Sequence, residues 1–142
     1  MNKINFLSEL IKKKQFDKAK VECEKIIKKE EKNFEFLNIF AIALFSLKEY
    51  ENSLEKWKLA LKINSEYFDG NNNLGSALLG FEKYNDALIY LIKAAEIKSD
   101  IYELHHKIGY AYQSLNEIEK ALESYNKVLE LKSDYLPSIK NK

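Results

Sequence analysis

Arginine is absent from this 142-residue sequence, whose 23 basic residues are all lysine. The guanidinium group grips phosphate or carboxylate through two parallel hydrogen bonds, and arginine–guanine pairs are the commonest specific contacts in DNA recognition. The composition therefore argues against a protein that reads a nucleic-acid sequence. Ten lysines and six acidic residues give positions 1–32 a net charge of +4, so RNA binding through the lobe from Lys12 to Lys32 is kept as an alternative.

Cysteine, proline and glycine are also scarce, with one, one and four residues respectively. The single Cys23 excludes an internal disulfide bond and a cysteine metal cluster. The longest apolar stretch, from Phe36 to Leu47, is interrupted by Asn38 and Ser46. It falls short of the ~20 residues that span a bilayer, and the first 14 residues lack the apolar segment of a signal peptide. We expect no membrane insertion and a cytoplasmic location.

A repeat with a period of 34 residues runs through the whole chain. The segment from Tyr50 to Leu54 recurs from Tyr84 to Leu88 and again from Ile118 to Leu122, and an earlier copy contains Phe16 and Ala19. A fixed period of this size is typical of stacked structural units. We therefore predict one array over residues 1–135, with repeats at about 1–33, 34–67, 68–101 and 102–135.

The spacing of apolar residues within each 34-residue copy indicates two helices, which predicts an all-α fold. In the third copy, Asn71, Leu74, Gly75 and Leu78 follow the spacing of one helical face, and Ala87, Leu91 and Ala94 do so in the helix that follows. Cys23 stands one period or more before Trp57, Leu91 and Tyr125, which predicts a packing role for it. Small residues recur where paired helices must approach closely, because a larger side chain there would overpack the pair; they are Ala41, Gly75, Gly109, Ala87 and Ala121.

These residues resemble the tetratricopeptide repeat (TPR) family, whose pattern combines a Leu-Gly-x-x-Tyr segment with a later Ala-x-x-x-Phe segment. Ile108, Gly109 and Tyr112 match the first segment, and Ala121 with Tyr125 matches the second. The family's closing proline is absent, since serine stands at positions 65, 99 and 133. The resemblance implies a right-handed α-solenoid of four antiparallel helix hairpins, whose first helices line a concave groove that receives a peptide or a partner helix.

Helical spacing then places ten candidate binding residues on the face of the first helices opposite the packing face. They are Asn38, Ile42, Asp69, Asn72, Asn73, Ser76, Glu103, His106, Lys107 and Tyr110. Asparagine is a poor helix former, so the run from Asn71 to Asn73 is locally unfavourable, and its amides suit hydrogen bonding to a bound peptide backbone. The alternative is that the run reflects a general enrichment in asparagine.

The sequence predicts a protein-interaction scaffold or adaptor and no enzyme. One subgroup of the family clamps the carboxylate of chaperone tails, but Asn38, Ile42 and Glu103 do not suit that clamp. His105 and His106 are adjacent and point to different helix faces, and no third ligand is spaced to help them, so we expect no metal site, no cofactor and no catalytic group. The alternative function is a regulatory or substrate-recruiting module of a larger enzyme or multiprotein complex.

The last repeat leaves an apolar end that needs a cover. Residues 136–142 are predicted to form a short tail or the start of a capping helix, since Pro137 suits a first helical turn. If the tail does not cover Leu122, Tyr125 and Leu129, the same end could hold a second copy of the chain. Homo-oligomerisation through this end, or a chain that continues further, therefore stays open at this point.

Overall fold

The computed structural model describes residues 2–132, and within that range the secondary structure consists of eight α-helices and no strand. The prediction of an all-α helical repeat fold is confirmed. The helices are α1 (Lys3–Lys12), α2 (Phe16–Glu30), α3 (Phe34–Ser46), α4 (Tyr50–Ile63), α5 (Phe68–Gly80), α6 (Tyr84–Ile97), α7 (Tyr102–Ser114) and α8 (Ile118–Leu131). Four of them, α2, α4, α6 and α8, begin 34 residues apart, as the repeat in the sequence requires.

The turn inside every helix pair has the same backbone conformation. Its central residue lies in the left-handed region, with φ between 58° and 66°, at Lys14, Lys48, Glu82 and Asn116. The next residue donates its N–H to a carbonyl five positions earlier, as Glu49 does to Leu44 and Lys83 does to Leu78, both at 2.9 Å. This bond satisfies a carbonyl that the end of the first helix would otherwise leave unpaired.

Asparagine side chains begin two of the first helices. Asn2 Oδ1 accepts a hydrogen bond from the backbone N–H of Asn5 at 2.8 Å, and Asn33 Oδ1 accepts one from Phe36 at 3.1 Å. Each bond satisfies a backbone donor of the first turn, which helices otherwise leave exposed. The caps therefore fix where α1 and α3 start.

The contacts divide the chain into two compact units, the first from Met1 to Gly70 and the second from Asn71 onward. The first unit has a continuous apolar core that includes Leu7, Leu10, Cys23, Phe36 and Leu37. Cys23 is fully buried, and its burial raises the pKa of the thiol from 9.0 to about 12. The packing role that its position in the repeat predicted is thus confirmed, and the thiolate is strongly disfavoured.

Close approach of paired helices organises the second unit. A Cβ built on Gly75 would lie 2.8 Å from Cγ of Leu91, and one on Gly109 would lie 2.7 Å from Cε1 of Tyr125. Both distances are shorter than atoms in contact allow, so these two positions need glycine because of space. Leu91 and Tyr125 lie 16 positions after these glycines, and the equivalent residues of all four repeats are buried. They are Cys23, Trp57, Leu91 and Tyr125.

The predicted tail, residues 136–142, lies outside the described residues, as do Ser133, Asp134 and Tyr135. Among the helices of residues 2–132, none combines the length and the apolar character needed to cross a membrane.

Candidate functional site

A hydrogen bond joins two of the first helices in the second unit. Lys107 Nζ on α7 donates to Ser76 Oγ on α5 at 2.8 Å, across 31 residues of sequence. Both residues were predicted to lie on the binding face, and the structure brings their side chains into contact. We call the predicted binding residues of these two helices the α5–α7 face: Asn72, Asn73, Ser76, Glu103, His106, Lys107 and Tyr110.

Lys107 is the charged centre of the α5–α7 face. Partial burial disfavours its ammonium form and lowers its pKa, while the carboxylate of Glu103, one turn earlier on α7, acts in the opposite direction. The hydroxyl of Ser76 is a neutral acceptor and leaves the ammonium with incomplete compensation. An oxygen acceptor supplied by a bound partner would give this ammonium group a further hydrogen bond and stabilise its charge.

The asparagine run divides between the core and the face. Asn71 is buried among the packing residues, whereas Asn72 and Asn73 are partly exposed. The side-chain oxygen of Asn72 is enclosed and has no hydrogen-bond partner among the residues that the structure describes. An enclosed carbonyl oxygen without a donor is costly, by about 1–3 kcal/mol. Rotation of this amide would allow a bound peptide N–H to supply the donor.

Aromatic rings border the face at the C-terminal half of α7. Tyr110 is 46% exposed, and its ring lies edge-on to that of Tyr84 with 6.2 Å between the centroids. The ring of His106 lies 5.6 Å from that of Tyr125, and burial lowers the pKa of His106, which favours the neutral imidazole. Tyr84 begins α6, and in the sequence it stands out only as the first residue of a recurring segment. The 34-residue repeat shows that Tyr84 is equivalent to Tyr50, but it does not show how close the ring of Tyr84 lies to that of Tyr110.

Three candidate residues belong to the first unit. Asn38 is only 6% exposed, and its Oδ1 accepts a hydrogen bond from Trp57 Nε1 at 2.8 Å. This bond ties α3 to α4 and commits the Asn38 amide to the interior of the unit. Ile42 is half-buried and Asp69 is exposed. The participation of these three residues in binding stays a prediction.

The adjacent histidines of α7 were predicted to point to different helix faces. His105 and His106 have different surroundings: His105 Nε2 lies 2.7 Å from the carbonyl oxygen of Ser99, whereas His106 packs beside Tyr125. Among residues 2–132, no group of three or more histidine, cysteine or carboxylate side chains is placed to hold a metal ion.

Comparison with known proteins assigns the repeats to a family. Two models described as tetratricopeptide repeat match the chain, at residues 68–101 and at residues 102–135. The chain belongs to the tetratricopeptide repeat family. Its repeats support a general role as a protein-interaction module, and members of this family are typically non-catalytic scaffolds. No curated protein sequence matches the chain.

Several solved structures share the fold at low sequence identity. A crystal structure of MamA is 21% identical, with a TM-score of 0.87, and the match covers 99% of this chain and 81% of that one. MamA from Desulfovibrio magneticus RS-1 is also 21% identical, with a TM-score of 0.85 and coverages of 94% and 76%. YrrB, described as a TPR protein with an unusual peptide-binding site, is 20% identical, with a TM-score of 0.88 and coverages of 97% and 71%.

Proposed function

We propose that the α5–α7 face binds an extended peptide segment of a protein partner. The observation that carries this proposal is the 2.8 Å hydrogen bond between Lys107 and Ser76. It joins a residue of α5 to one of α7, which supports a binding surface made from both helices. The similarity to YrrB, whose description includes a peptide-binding site, supports the same function.

The chemistry of the face fits a peptide backbone. An asparagine amide both donates and accepts hydrogen bonds, as a peptide group does, so Asn72 and Asn73 match the N–H and C=O groups of an extended chain. The ammonium of Lys107 supplies a donor for a carbonyl oxygen, and the exposed ring of Tyr110 supplies an apolar contact. The set is suited to holding a backbone with one apolar side chain.

The charge balance selects against a strongly acidic ligand. Glu103 lies four residues before Lys107 on α7, and its carboxylate favours the charged form of that lysine. The pair contributes no net charge to the face, so a bound carboxylate would meet both an attractive and a repulsive group. We therefore expect a peptide of mixed or neutral charge, and we do not expect an acidic chaperone tail to bind here.

The proposal is tested by panning the full chain against a library of random dodecapeptides and measuring selected peptides by fluorescence anisotropy. A triple variant, Asn73→Ala/Lys107→Glu/Tyr110→Ala, should weaken binding by about tenfold or more, since it removes an amide, a cation and an aromatic contact.

The matched control is Lys83→Glu/Asn85→Ala/Ile89→Ala, which makes similar changes at exposed positions around α6 in the same unit. It should change the Kd less than about twofold. Circular dichroism would verify that both variants keep their helices. Equal affinity of the folded triple variant and the wild type would place peptide binding elsewhere and remove the basis of the proposal.

A further inference from the structure

Phe6 on α1 differs in exposure from its equivalents in the other repeats. Its side chain is 39% exposed, whereas the residues 34, 68 and 102 positions later are all buried; these are Phe40, Leu74 and Ile108. A large aromatic ring in contact with water is unfavourable by about 25 cal/mol for each Å² that a partner could cover. Phe6 therefore marks a surface of the first unit where an apolar group of a partner would bind favourably.

One charged residue near this ring stands where the later repeats have an apolar one. Position 9 is a glutamate, whereas its equivalents in the later repeats are buried alanines: Ala43, Ala77 and Ala111. The carboxylate of Glu9 therefore makes this side of α1 more polar than the same side of the later first helices. The surface around Phe6 thus combines an exposed aromatic ring with a charged group.

A cleft of about 510 Å³ lies at this place, beside the turn between α1 and α2. Its lining includes the apolar side chains of Phe6 and Leu10 and three lysines, which are Lys12, Lys13 and Lys18. Glu9 also lines it, and its Oε1 lies 3.5 Å from Lys12 Nζ. The three ammonium groups and one carboxylate give the cleft a net charge of +2.

We propose that this α1–α2 cleft is a second docking site, which binds an acidic peptide segment that carries one apolar side chain. The apolar side chain contacts Phe6, and flanking carboxylates pair with Lys13 and Lys18. This site lies in the first unit and does not depend on the α5–α7 face, whose mixed charge suits a different ligand.

The same observations favour a peptide over a nucleic acid. The chain has no arginine to grip phosphates, and the cleft has a single aromatic ring instead of a series on which bases could stack. A continuous row of phosphates would also meet the Glu9 carboxylate. A peptide can space its carboxylates to either side of that group, so its charge complements the cleft at lower electrostatic cost.

The probe for the test is a fluorescein-labelled nonapeptide with one central leucine and four glutamates on either side. Fluorescence anisotropy with the full chain at about 50 mM salt should detect binding, because exposed charges are screened less at low ionic strength. The Lys13→Glu/Lys18→Glu variant should weaken binding about tenfold or more. The control Lys28→Glu/Lys29→Glu, with the same charge change at exposed positions of α2 outside the cleft, should weaken it less than about threefold.

A second comparison isolates the apolar contact. Replacing the central leucine of the probe by serine should reduce affinity for the wild type but not for a Phe6→Ser variant, whose helicity is verified by circular dichroism. Equal losses in the two lysine variants would show general charge attraction and overturn the proposal. It would also be overturned by tighter binding of an oligouridine than of the peptide, or by no binding of the peptide at millimolar concentration.

Discussion

Substitution of Gly75 by alanine has two opposing effects, and the structure decides which is larger. In a helix interior, alanine is more favourable than glycine by about 1 kcal/mol. The added Cβ, however, would lie 2.8 Å from both Cγ and Cδ2 of Leu91 and 3.1 Å from its backbone nitrogen. Overpacking of this kind costs about 1–3 kcal/mol. We therefore expect Gly75→Ala to lower the free energy of unfolding by up to about 2 kcal/mol.

Removing the opposing side chain should reverse the sign of this effect. Leu91→Ala alone should cost about 2–5 kcal/mol, since Leu91 is fully buried. In that background the Cβ of Ala at position 75 no longer meets a leucine side chain, so the substitution should gain about 1 kcal/mol from helix propensity. The double-mutant cycle should then give a coupling free energy of about 1–3 kcal/mol.

Urea denaturation followed by far-ultraviolet circular dichroism measures all four proteins of this cycle. Gly80→Ala is the matched control, because it changes the same residue type in α5 at a position where an added Cβ meets nothing within 4 Å. It should leave the protein as stable as the wild type or slightly more stable. If Gly75→Ala also stabilises the wild type, the close approach of α5 and α6 does not constrain this position, and the packing argument is refuted.

Two further predictions concern the backbone of the turns and the buried thiol. Glu82→Gly should raise the free energy of unfolding by about 0.5–1 kcal/mol in urea denaturation, because Glu82 has φ 63° and glycine adopts this conformation without strain. Asn116→Gly should stabilise the protein less, since asparagine tolerates a positive φ better than glutamate does. Equal gains in the two variants would contradict the strain argument. Cys23 has a pKa raised to about 12 in the folded state, so stability should fall as the pH rises above 9, where only the unfolded chain ionises. The loss between pH 8 and pH 10.5 should be smaller in Cys23→Ala, and an equal loss would show that the thiol does not contribute.

The sequence predicted the helices well because their signal is repeated. The start of α6 at Tyr84 and of α8 at Ile118 follows from the same 34-residue step, and each copy supports the assignment of the others. Helical spacing also predicted the packing positions. Leu74, Gly75 and Leu78 were expected on one helical face, and all three are buried. Local periodicity and repetition agree at these positions, which is why the prediction of an all-α repeat is confirmed.

The turn conformation and the fine structure of the site could not be predicted in this way. Lysine or glutamate at a left-handed position carries no signal in its residue type, so the sequence did not predict the positive φ values of Lys48 and Glu82. Helical spacing placed Asn38 on the outer face, but spacing cannot show that its amide accepts a hydrogen bond from Trp57 on the next helix. Contacts such as Lys107 with Ser76 depend on rotamers and on distances between helices, which a single sequence does not contain.

The central claim is that the α5–α7 face binds peptide, and NMR titration of the full ¹⁵N-labelled chain with a library-selected peptide tests it most directly. The account predicts that the largest shift changes fall on the backbone amides of Asn72, Asn73, Lys107 and Tyr110, with smaller changes on exposed residues of α6 such as Asn85 and Ile89. Saturable changes confined to α6 and α8, with the amides of α5 and α7 unmoved, would contradict it.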